Sequence, residues 1–231
     1  MANILLLETA TPVCSVVLAE DGKNIAHRES SEQNAHSSCL SVFIDEVMKE
    51  AGMDFRSLDA VCISSGPGSY TGLRIGTSTA KGLCYALGKP LLAIETLQAM
   101  ANWFLQKNPD YQGFVCPMID ARRMEVYTAM FDSDGNRLTP TTAEIIDGDS
   151  FADFLVKDRV AFFGDGAEKT KTLLSGNVNA VYDMPFEISA EGLSLDAEKK
   201  MQDSEFEDVA YFEPFYLKDF VAAKPVVKGL R

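Results

Sequence analysis

The residues with the clearest chemical potential lie in a glycine-rich segment, residues 64–76, which reads SSGPGSYTGLRIG. The segment follows the strand-like run AVCIS and precedes the helix-like run TSTAKGLCYALG, which is the usual position of a phosphate-binding loop. A P-loop also requires a lysine directly after its last glycine, to reach the phosphates. Leu73 and Arg74 follow Gly72 here, so the P-loop pattern is not met.

A dinucleotide-binding turn is the second nucleotide motif that this position allows. Gly66, Gly68 and Gly72 would be its glycines, and Glu95 at the end of the next strand would bind the ribose. The spacing is G-x-G-x-x-x-G instead of G-x-G-x-x-G, and Pro67 removes a backbone N–H from the turn. The sequence therefore disfavours this motif, and a purely structural turn is the remaining interpretation.

Nucleophilic or metal-assisted catalysis finds little support in the other residues. Ser69 does not lie in a G-x-S-x-G pattern, and the two histidines, His27 and His36, form no H-x-x-x-H pair. We therefore expect no catalytic residue and no metal site. The cysteines are scattered, without a C-x-x-C pair, and are predicted to be buried reduced thiols: Cys14, Cys39, Cys62, Cys84 and Cys116.

Two strand-like runs each end in an acidic residue, at corresponding positions of what looks like an internal repeat. NILLLE ends in Glu8, and FVCPMID ends in Asp120. A hairpin signal follows each acid, at Asp21-Gly22 between VCSVVLAE and NIAHRE, and at Asp134-Gly135 between MEVYTAMFD and NRL. Each half then contains a buried strand and a glycine turn, so an internal duplication is predicted.

Apolar periodicity predicts helices after these meanders. The first covers about 35–51, with Asn34 as its N-cap, and the second covers about 72–87. A third helix begins at Thr96, which is predicted to cap it. The apolar stripe of the first helix consists of Leu40, Phe43, Ile44, Val47 and Met48.

The second helix carries a stripe of small residues, Gly72, Gly76 and Ala80, which recur every four positions. Glycine inside a helix costs roughly 0.5–1 kcal/mol relative to alanine, so such a stripe needs a packing reason. It either packs against the chain's own sheet or admits a helix of another chain, and the pattern does not decide between the two. On the second interpretation, Gly76→Leu would block partner binding and leave the fold largely intact.

The composition separates this chain from nucleic-acid-binding and membrane proteins. It has 231 residues and a net charge of -13, so most of its surface repels a phosphate backbone. Basic residues cluster only in the final segment, at Lys224, Lys228 and Arg231, which is either a solvated tail or a small contact. No run of about 18 apolar residues occurs, and the N-terminus lacks the basic start of a signal peptide, so a cytoplasmic location is expected.

Two α/β units that each open with a β-meander predict a duplicated actin-like ATPase fold, also called the ASKHA or ribonuclease H-like fold. We expect an N-terminal subdomain over 1–108 and a smaller C-terminal subdomain with its tail over 109–231. In such folds the hairpin turns and the glycine turns meet at a cleft that binds nucleotide phosphates. The residues predicted at a vestigial cleft are Glu8, Thr9, Thr11, Gly66, Gly68, Ser69, Asp120, Gly164 and Gly166.

The motif SSGPGSYTGLRIG, with LLLETATPVCSVVL before it and PLLAIETLQAMA, PMIDARRMEVYTAMF and PFYLK after it, closely resembles the bacterial TsaB (YeaZ) family. The resemblance covers nearly the whole chain in the same order. It implies a role in forming threonylcarbamoyladenosine at position 37 of tRNAs that read codons starting with A. It also implies a degenerate paralogue that pairs with the catalytic subunit TsaD, with the small ATPase TsaE joining them.

One departure from the catalytic paralogue fits that role. The paralogue carries a metal-binding H-x-x-x-H pair in the helix after the PLLAIE strand, and the corresponding helix here reads TLQAMANWF, without histidine. The resemblance therefore implies a subunit that is not itself the transferase and that meets tRNA only indirectly. The alternative is a nucleotide-dependent kinase-like or glycoprotease-like enzyme of the same superfamily.

The resemblance also implies which surface meets the partner. In this family the first two helices pack against the equivalent helices of TsaD, and against a second copy of the protein when TsaD is absent. No cofactor is expected beyond weak ATP or ADP binding, in the cleft or at the partner interface. The residues implied at the partner surface are Leu40, Phe43, Ile44, Val47, Gly72, Leu73, Gly76, Ala80 and Leu83.

Overall fold

The computed structural model of the chain describes residues 2–32 and 35–218. Its first half forms one five-stranded sheet and carries three helices. The strands are β1 (Asn3–Glu8), β2 (Cys14–Glu20), β3 (Lys23–Ser30), β4 (Ala60–Ser64) and β5 (Leu91–Ile94), and the helices are α1 (Ala35–Glu50), α2 (Tyr70–Leu87) and α3 (Thr96–Lys107). Asn34, the predicted N-cap of α1, lies outside the described residues.

The second half forms another five-stranded sheet with shorter helices. Its strands are β6 (Phe114–Asp120), β7 (Glu125–Thr128), β8 (Thr142–Ile145), β9 (Val160–Phe163) and β10 (Ala180–Val181). Its helices are α4 (Ala152–Leu155), α5 (Lys171–Leu174) and α6 (Ser194–Asp203), with a short 3-10 turn at Ala190–Leu193. The described helices include none that is long and apolar enough to cross a membrane.

The two sheets have the same topology. The first has the order β3-β2-β1-β4-β5, and the second, read in the matching direction, has the order β8-β7-β6-β9-β10. In each sheet the first strand of the unit pairs antiparallel with the second and parallel with the fourth. The predicted α/β duplication is therefore confirmed at the level of strand order.

The first hairpin turn is formed as predicted, but it lies away from the cleft. Asp21 and Gly22 have φ angles of 48° and 73°, as a tight turn between β2 and β3 requires. A Cβ on Gly22 would contact Glu198 and Leu195 of α6. Successive turns of a meander lie at opposite ends of its strands. The turn that reaches the cleft is therefore the preceding one, residues 9–13 between β1 and β2.

The second hairpin differs from the prediction. Asp134 and Gly135 form a turn, but it closes only an isolated bridge between Phe131 and Arg137. The strand that pairs antiparallel with β7 is β8, where Ile145 lies opposite Glu125 of β7. This strand was not predicted. Its sequence, TAEI, is mostly exposed and has no apolar run, so it carries little strand signal.

The last helix of each half packs across to the other half. On α3, Leu97, Met100 and Phe104 join the apolar core of the second sheet. In the opposite direction, Leu193 and Ala197 join the core of the first sheet. The chain after the predicted boundary at residue 108 thus returns to the first sheet, and the exact division into subdomains stays a prediction.

Candidate functional site

The carboxyl ends of β1, β4, β6 and β9 meet between the two halves, and a cavity of about 680 Å³ lies there. The turn after β1, the start of α2 and the turn after β6 line it. Of the predicted cleft residues, Thr11, Gly68, Ser69 and Asp120 face this cavity. A second cavity of about 460 Å³ lies beyond Thr11 and includes Gly164. Glu8, Thr9, Gly66 and Gly166 line neither of these cavities.

The glycine-rich segment packs directly on the turn that follows β1. The amide of Ser69 donates a hydrogen bond of 2.6 Å to the carbonyl of Ala10. A Cβ on Gly68 would overlap that same carbonyl, and a Cβ on Gly72 would overlap the carbonyl of Thr9. These glycines are therefore required for the close approach of two backbone segments, and the amide of Ser69 is used in holding them together.

The second half repeats this arrangement. The amide of Gly166 donates to the carbonyl of Met118 on β6 at 3.0 Å, and a Cβ on Gly164 would overlap the same carbonyl. Gly164 also has a φ of 99°, a conformation that other residues rarely adopt. Both glycine turns thus hold the following segment against the end of the central strand of their sheet.

The two strand-end acids are in different environments. Glu8 is fully buried, its Oε1 accepts a hydrogen bond of 2.5 Å from the amide of Ala10, and its Oε2 has no partner. Burial raises the pKa of Glu8 to about 7, against hydrogen bonds from the turn amides that lower it. Glu8 therefore stabilises its own turn and does not face the cavity.

Asp120 lies at the mouth of the cavity and is ion-paired with Lys169. Partial burial acts to raise the pKa of Asp120, but hydrogen bonds from Lys169 and from the amide of Arg122 hold it below its ordinary value. Its backbone amide donates to Asp165 at 3.0 Å. The two acids thus share a position in the repeat, but burial raises the pKa of Glu8 whereas Asp120 is paired with a cation.

Thr96 has a role that the sequence did not indicate. It is the first residue of α3, and the N-cap position belongs to Glu95, so the predicted cap is wrong. Its hydroxyl lies 2.8 Å from the hydroxyl of Ser64 and accepts a bond of 3.1 Å from the amide of Gly66. Because Thr96 also donates its amide to the carbonyl of Gly66 at 2.9 Å, it fixes the start of the glycine-rich segment.

Residues 205–218, which we call the C-terminal strap, cross the outside of this segment. The amide of Phe215 donates to the carbonyl of Ser65 at 2.8 Å, and the ring of Tyr216 lies 5.1 Å from that of Tyr70. Lys218 then forms an ion pair with Glu125 on β7. The strap therefore connects the two halves along one wall of the larger cavity.

The stripe of small residues on α2 faces the chain's own sheet. A Cβ on Gly76 would overlap the hydroxyl of Thr9 and lie 2.8 Å from the Cδ1 of Ile63 on β4. Gly72, Gly76 and Ala80 are all buried. This corrects the expectation that the stripe makes room for another chain, and with it the expectation that Gly76→Leu spares the fold.

The other residues predicted at the partner surface are also mostly internal. Leu40, Ile44, Val47 and Leu73 are buried, and only Phe43 and Leu83 are partly exposed. The apolar stripe of α1 packs on β2 and β3, so these residues face the chain's own core and not a partner. The outward surface of α1 and α2 is formed by different residues, among them Val42, Ser78, Gly82 and Tyr85.

The histidines and cysteines form no catalytic arrangement. His27 on β3 pairs with Glu29 at 3.1 Å, and His36 lies in the first turn of α1, at the larger cavity. Over residues 2–32 and 35–218, no three His, Cys, Asp or Glu side chains are grouped so that they could hold a metal ion. All five cysteines are free; four are buried as predicted, whereas Cys39 is only partly buried.

Comparison with known proteins agrees with this architecture. The structure of YeaZ from Pseudomonas aeruginosa is 25% identical and covers 94% of this chain and 100% of its own, with a TM-score of 0.80. The activator of the 2-hydroxyisocaproyl-CoA dehydratase from Clostridium difficile, solved with ADPNP, is 11% identical and covers 88% of this chain and 97% of its own, with a TM-score of 0.52. The second likeness extends to the fold alone, and together they confirm the predicted actin-like fold.

Sequence relatives lead to the same family. The tRNA threonylcarbamoyladenosine biosynthesis protein TsaB of Escherichia coli (strain K12) is 35% identical over 134 residues, which cover 58% of this chain and 57% of that protein. TsaB of Bacillus subtilis (strain 168) is 29% identical over 129 residues, 56% of this chain and 55% of that protein. The chain thus spans about half the length of the curated relatives it matches.

A family model described as "TsaD: tRNA N6-adenosine threonylcarbamoyltransferase" matches residues 25–230, which is most of the chain. The relatives named TsaB and YeaZ agree with the resemblance that the glycine-rich motif predicts. The chain therefore belongs to the TsaD-like family that this model describes, and its recognised relatives there are the TsaB (YeaZ) proteins.

Proposed function

We propose that this chain is a non-catalytic subunit of the machinery that forms threonylcarbamoyladenosine at position 37 of tRNAs reading codons that start with A. In this proposal it acts in the cytoplasm, docks on the catalytic subunit TsaD and holds it in an active state, and the ATPase TsaE joins the pair. The curated relatives named for threonylcarbamoyladenosine biosynthesis support the pathway. The geometry of the cleft supports the non-catalytic role.

The observation that carries the proposal is the packing of the glycine-rich segment on the turn after β1. In an active member of this fold, the backbone amides at the start of α2 would be free to bind phosphate. Here the amide of Ser69 bonds to the carbonyl of Ala10, and the backbone at Gly68 and Gly72 is in contact with the turn after β1. The Ser69 amide is therefore not available to a phosphate, so we expect ATP or ADP to bind weakly and to serve no catalytic step.

The helix that holds the metal ligands in the catalytic paralogue has a different role in this chain. Along α3, Leu97, Met100 and Phe104 are buried in the core of the second sheet, and Phe104 stacks on Phe163 with ring centroids 4.3 Å apart. The helix contains no histidine. Its sequence is therefore suited to packing the two halves together and not to holding a metal for acyl transfer.

The charge of the chain supports a proposal in which the partner, and not this chain, binds tRNA. With a net charge of -13, this chain would repel a tRNA phosphate backbone over most of its surface. A complex that modifies tRNA needs lysine and arginine side chains to neutralise those phosphates. The catalytic subunit must supply them, and this chain would meet tRNA only indirectly.

The outward surface of α1 and α2 fits a helix-to-helix contact. Ser78 and Gly82 are small and exposed, so they allow the backbone of another helix to approach. Val42 and Tyr85 are 48% and 87% exposed, so they offer apolar area for a partner to bury. We propose that TsaD, or a second copy of this chain when TsaD is absent, packs on this surface.

The proposal is tested by reconstitution with TsaD and TsaE from the same genome, tRNA, ATP and threonylcarbamoyl-adenylate, whose threonylcarbamoyl group is transferred to the adenosine with release of AMP. We expect threonylcarbamoyladenosine to form only when this chain is present, and Ser78→Trp to abolish both product and the complex with TsaD on size exclusion. Thr172→Trp, at an exposed position of α5, is the matched control and should retain both. Full activity without this chain, or transfer by this chain alone, would refute the proposal.

A further inference from the structure

The exposed aromatic side chains are concentrated on one side of the molecule. Within the part of the chain that the structure describes, every exposed aromatic residue lies on α2 or on the C-terminal strap. Tyr85 and Tyr211 are 87% and 83% exposed, far more than their size would favour in water. The full set is Tyr85, Phe206, Tyr211, Phe215 and Tyr216.

The strap is held against α2, so these rings keep fixed positions. The ammonium group of Lys81 on α2 donates to the carbonyls of Ala210 and Phe212 at 3.1 and 2.9 Å, on either side of Tyr211. Lys81 lies one helical turn before Tyr85, so Tyr85 and Tyr211 belong to one surface. The strap side chains of Val209 and Phe212 pack inward against the core under α1 and α2.

Hydrogen bonds along the strap fix its backbone as well. The amide of Glu207 donates to the carbonyl of Leu91 at 2.8 Å, at the start of β5. Asp208 accepts bonds from the amides of Ala210 and Tyr211 at 2.8 and 3.1 Å. Aromatic rings on a backbone that is already ordered lose little further entropy when a partner binds, which favours a preformed interface.

The charge of the strap indicates the chemistry of the partner. The strap contains four acids, Glu205, Glu207, Asp208 and Glu213, and a single base, and Glu205 is ion-paired with Lys200 on α6. That base, Lys218, is paired with Glu125 on β7 and does not neutralise the acids beside the rings. Carboxylates next to exposed tyrosine rings suit arginine and lysine, which form ion pairs with the acids and lie over the faces of the rings.

We propose that the strap and Tyr85 form a docking surface for a basic region of a protein partner, with Tyr85 and Tyr211 as the central contacts. This rests on the proposed function, in which the partner is the tRNA-handling catalytic subunit and therefore carries lysine and arginine. It extends the contact beyond α1 and α2 to a segment that is distant in sequence. The partner's basic side chains would lie over the strap, beside the helix-to-helix contact.

The test is calorimetric titration of the full-length chain with the catalytic subunit from the same genome. We expect Tyr211→Ser to weaken binding at least about tenfold, as central aromatic contacts do. Val178→Ser, at a residue that is 93% exposed in the second half, is the matched control and should change affinity less than about twofold. Tyr85→Ser provides a second variant on α2, and the melting temperature of each variant checks that the fold is kept.

The charge component is tested separately. We expect the double variant Glu207→Gln with Glu213→Gln to bind more weakly and to lose less affinity when salt rises from about 50 to about 300 mM. Asp110→Asn with Asp153→Asn removes two charges at exposed positions away from the strap and is the matched control. Failure of the unaltered chain to bind the catalytic subunit would overturn the proposed function. Tight binding by the unaltered chain and equally by all strap variants would overturn this inference alone.

Discussion

Gly76 and Gly82 are two interior glycines of α2 with opposite surroundings, and they allow the packing of the small-residue stripe to be measured. A Cβ on Gly76 would overlap the hydroxyl of Thr9 and lie 2.8 Å from the Cδ1 of Ile63, whereas a Cβ on Gly82 would meet no atom within 4 Å. We therefore consider replacing each glycine by alanine. Both replacements raise the helix propensity by the same amount, so any difference in stability between the two variants comes from the surroundings of the added methyl group.

The expected magnitudes follow from these contacts. Alanine in place of glycine inside a helix contributes about 1 kcal/mol, so Gly82→Ala should stabilise the chain by about that amount. Gly76→Ala gains the same helix term but forces a methyl group into a filled core, which costs about 1–3 kcal/mol. The two variants should thus differ by about 1–3 kcal/mol in free energy of unfolding, with Gly82→Ala the more stable.

Urea denaturation of the unaltered chain and both variants measures this difference. The midpoints should separate while the slopes stay equal, since the surface exposed on unfolding is the same. Thermal melting should agree, with a shift of about 2–4 °C for each kcal/mol in a chain of this size. If Gly76→Ala proved as stable as Gly82→Ala, the stripe would not be packed against Thr9 and Ile63, and our correction of its role would be refuted.

Two further predictions concern the buried polar groups at the carboxyl ends of the strands. Burial raises the pKa of Glu8 from 4.5 to about 7, so between these pH values the folded chain keeps a proton that the unfolded chain has lost, and stability falls as pH rises through this window. The stability of Glu8→Gln relative to the unaltered chain should therefore increase from pH 5 to pH 8, by up to about 3 kcal/mol in urea titrations. A stability difference that stays constant with pH would show that burial does not raise the pKa of Glu8. Thr96→Val leaves the hydroxyl of Ser64 and the amide of Gly66 without their partner, so it should lower the free energy of unfolding by about 1–3 kcal/mol in thermal or urea unfolding. Thr96→Ser keeps the hydroxyl and should lower it less. Equal losses of stability would show that the hydroxyl is not responsible.

The elements that were predicted correctly are those with strong local signals. The turn at Asp21 and Gly22 follows from two adjacent residues that tolerate positive φ between alternating apolar runs. The cores of α1 and α2 follow from a helical apolar stripe, and β4 follows from a continuous apolar run that is fully buried. β8 was missed because an exposed edge strand of four residues has no such signal.

The candidate site was predicted less completely. The motif around Gly68 identified the segment at the cleft, and Thr11, Ser69 and Asp120 do lie at the same cavity. The sequence did not indicate that Thr96 fixes this segment, because a hydroxyl at the start of a helix is expected to cap that helix. Nor did it indicate the strap, whose contacts with Ser65 and Lys81 join residues more than a hundred positions apart in the chain.

The sequence by itself determined the family, the α/β duplication and the apolar stripe of α1, since motif order and apolar periodicity are local properties of the chain. It left the small-residue stripe of α2 with two interpretations, because a pattern of glycines shows that something approaches closely but not what approaches. Only the tertiary structure decided that the neighbours are Thr9 and Ile63, which lie in other strands and turns. The same long-range packing moved the expected partner contacts from the stripe to the outward side of α2 and, by our proposal, to the strap.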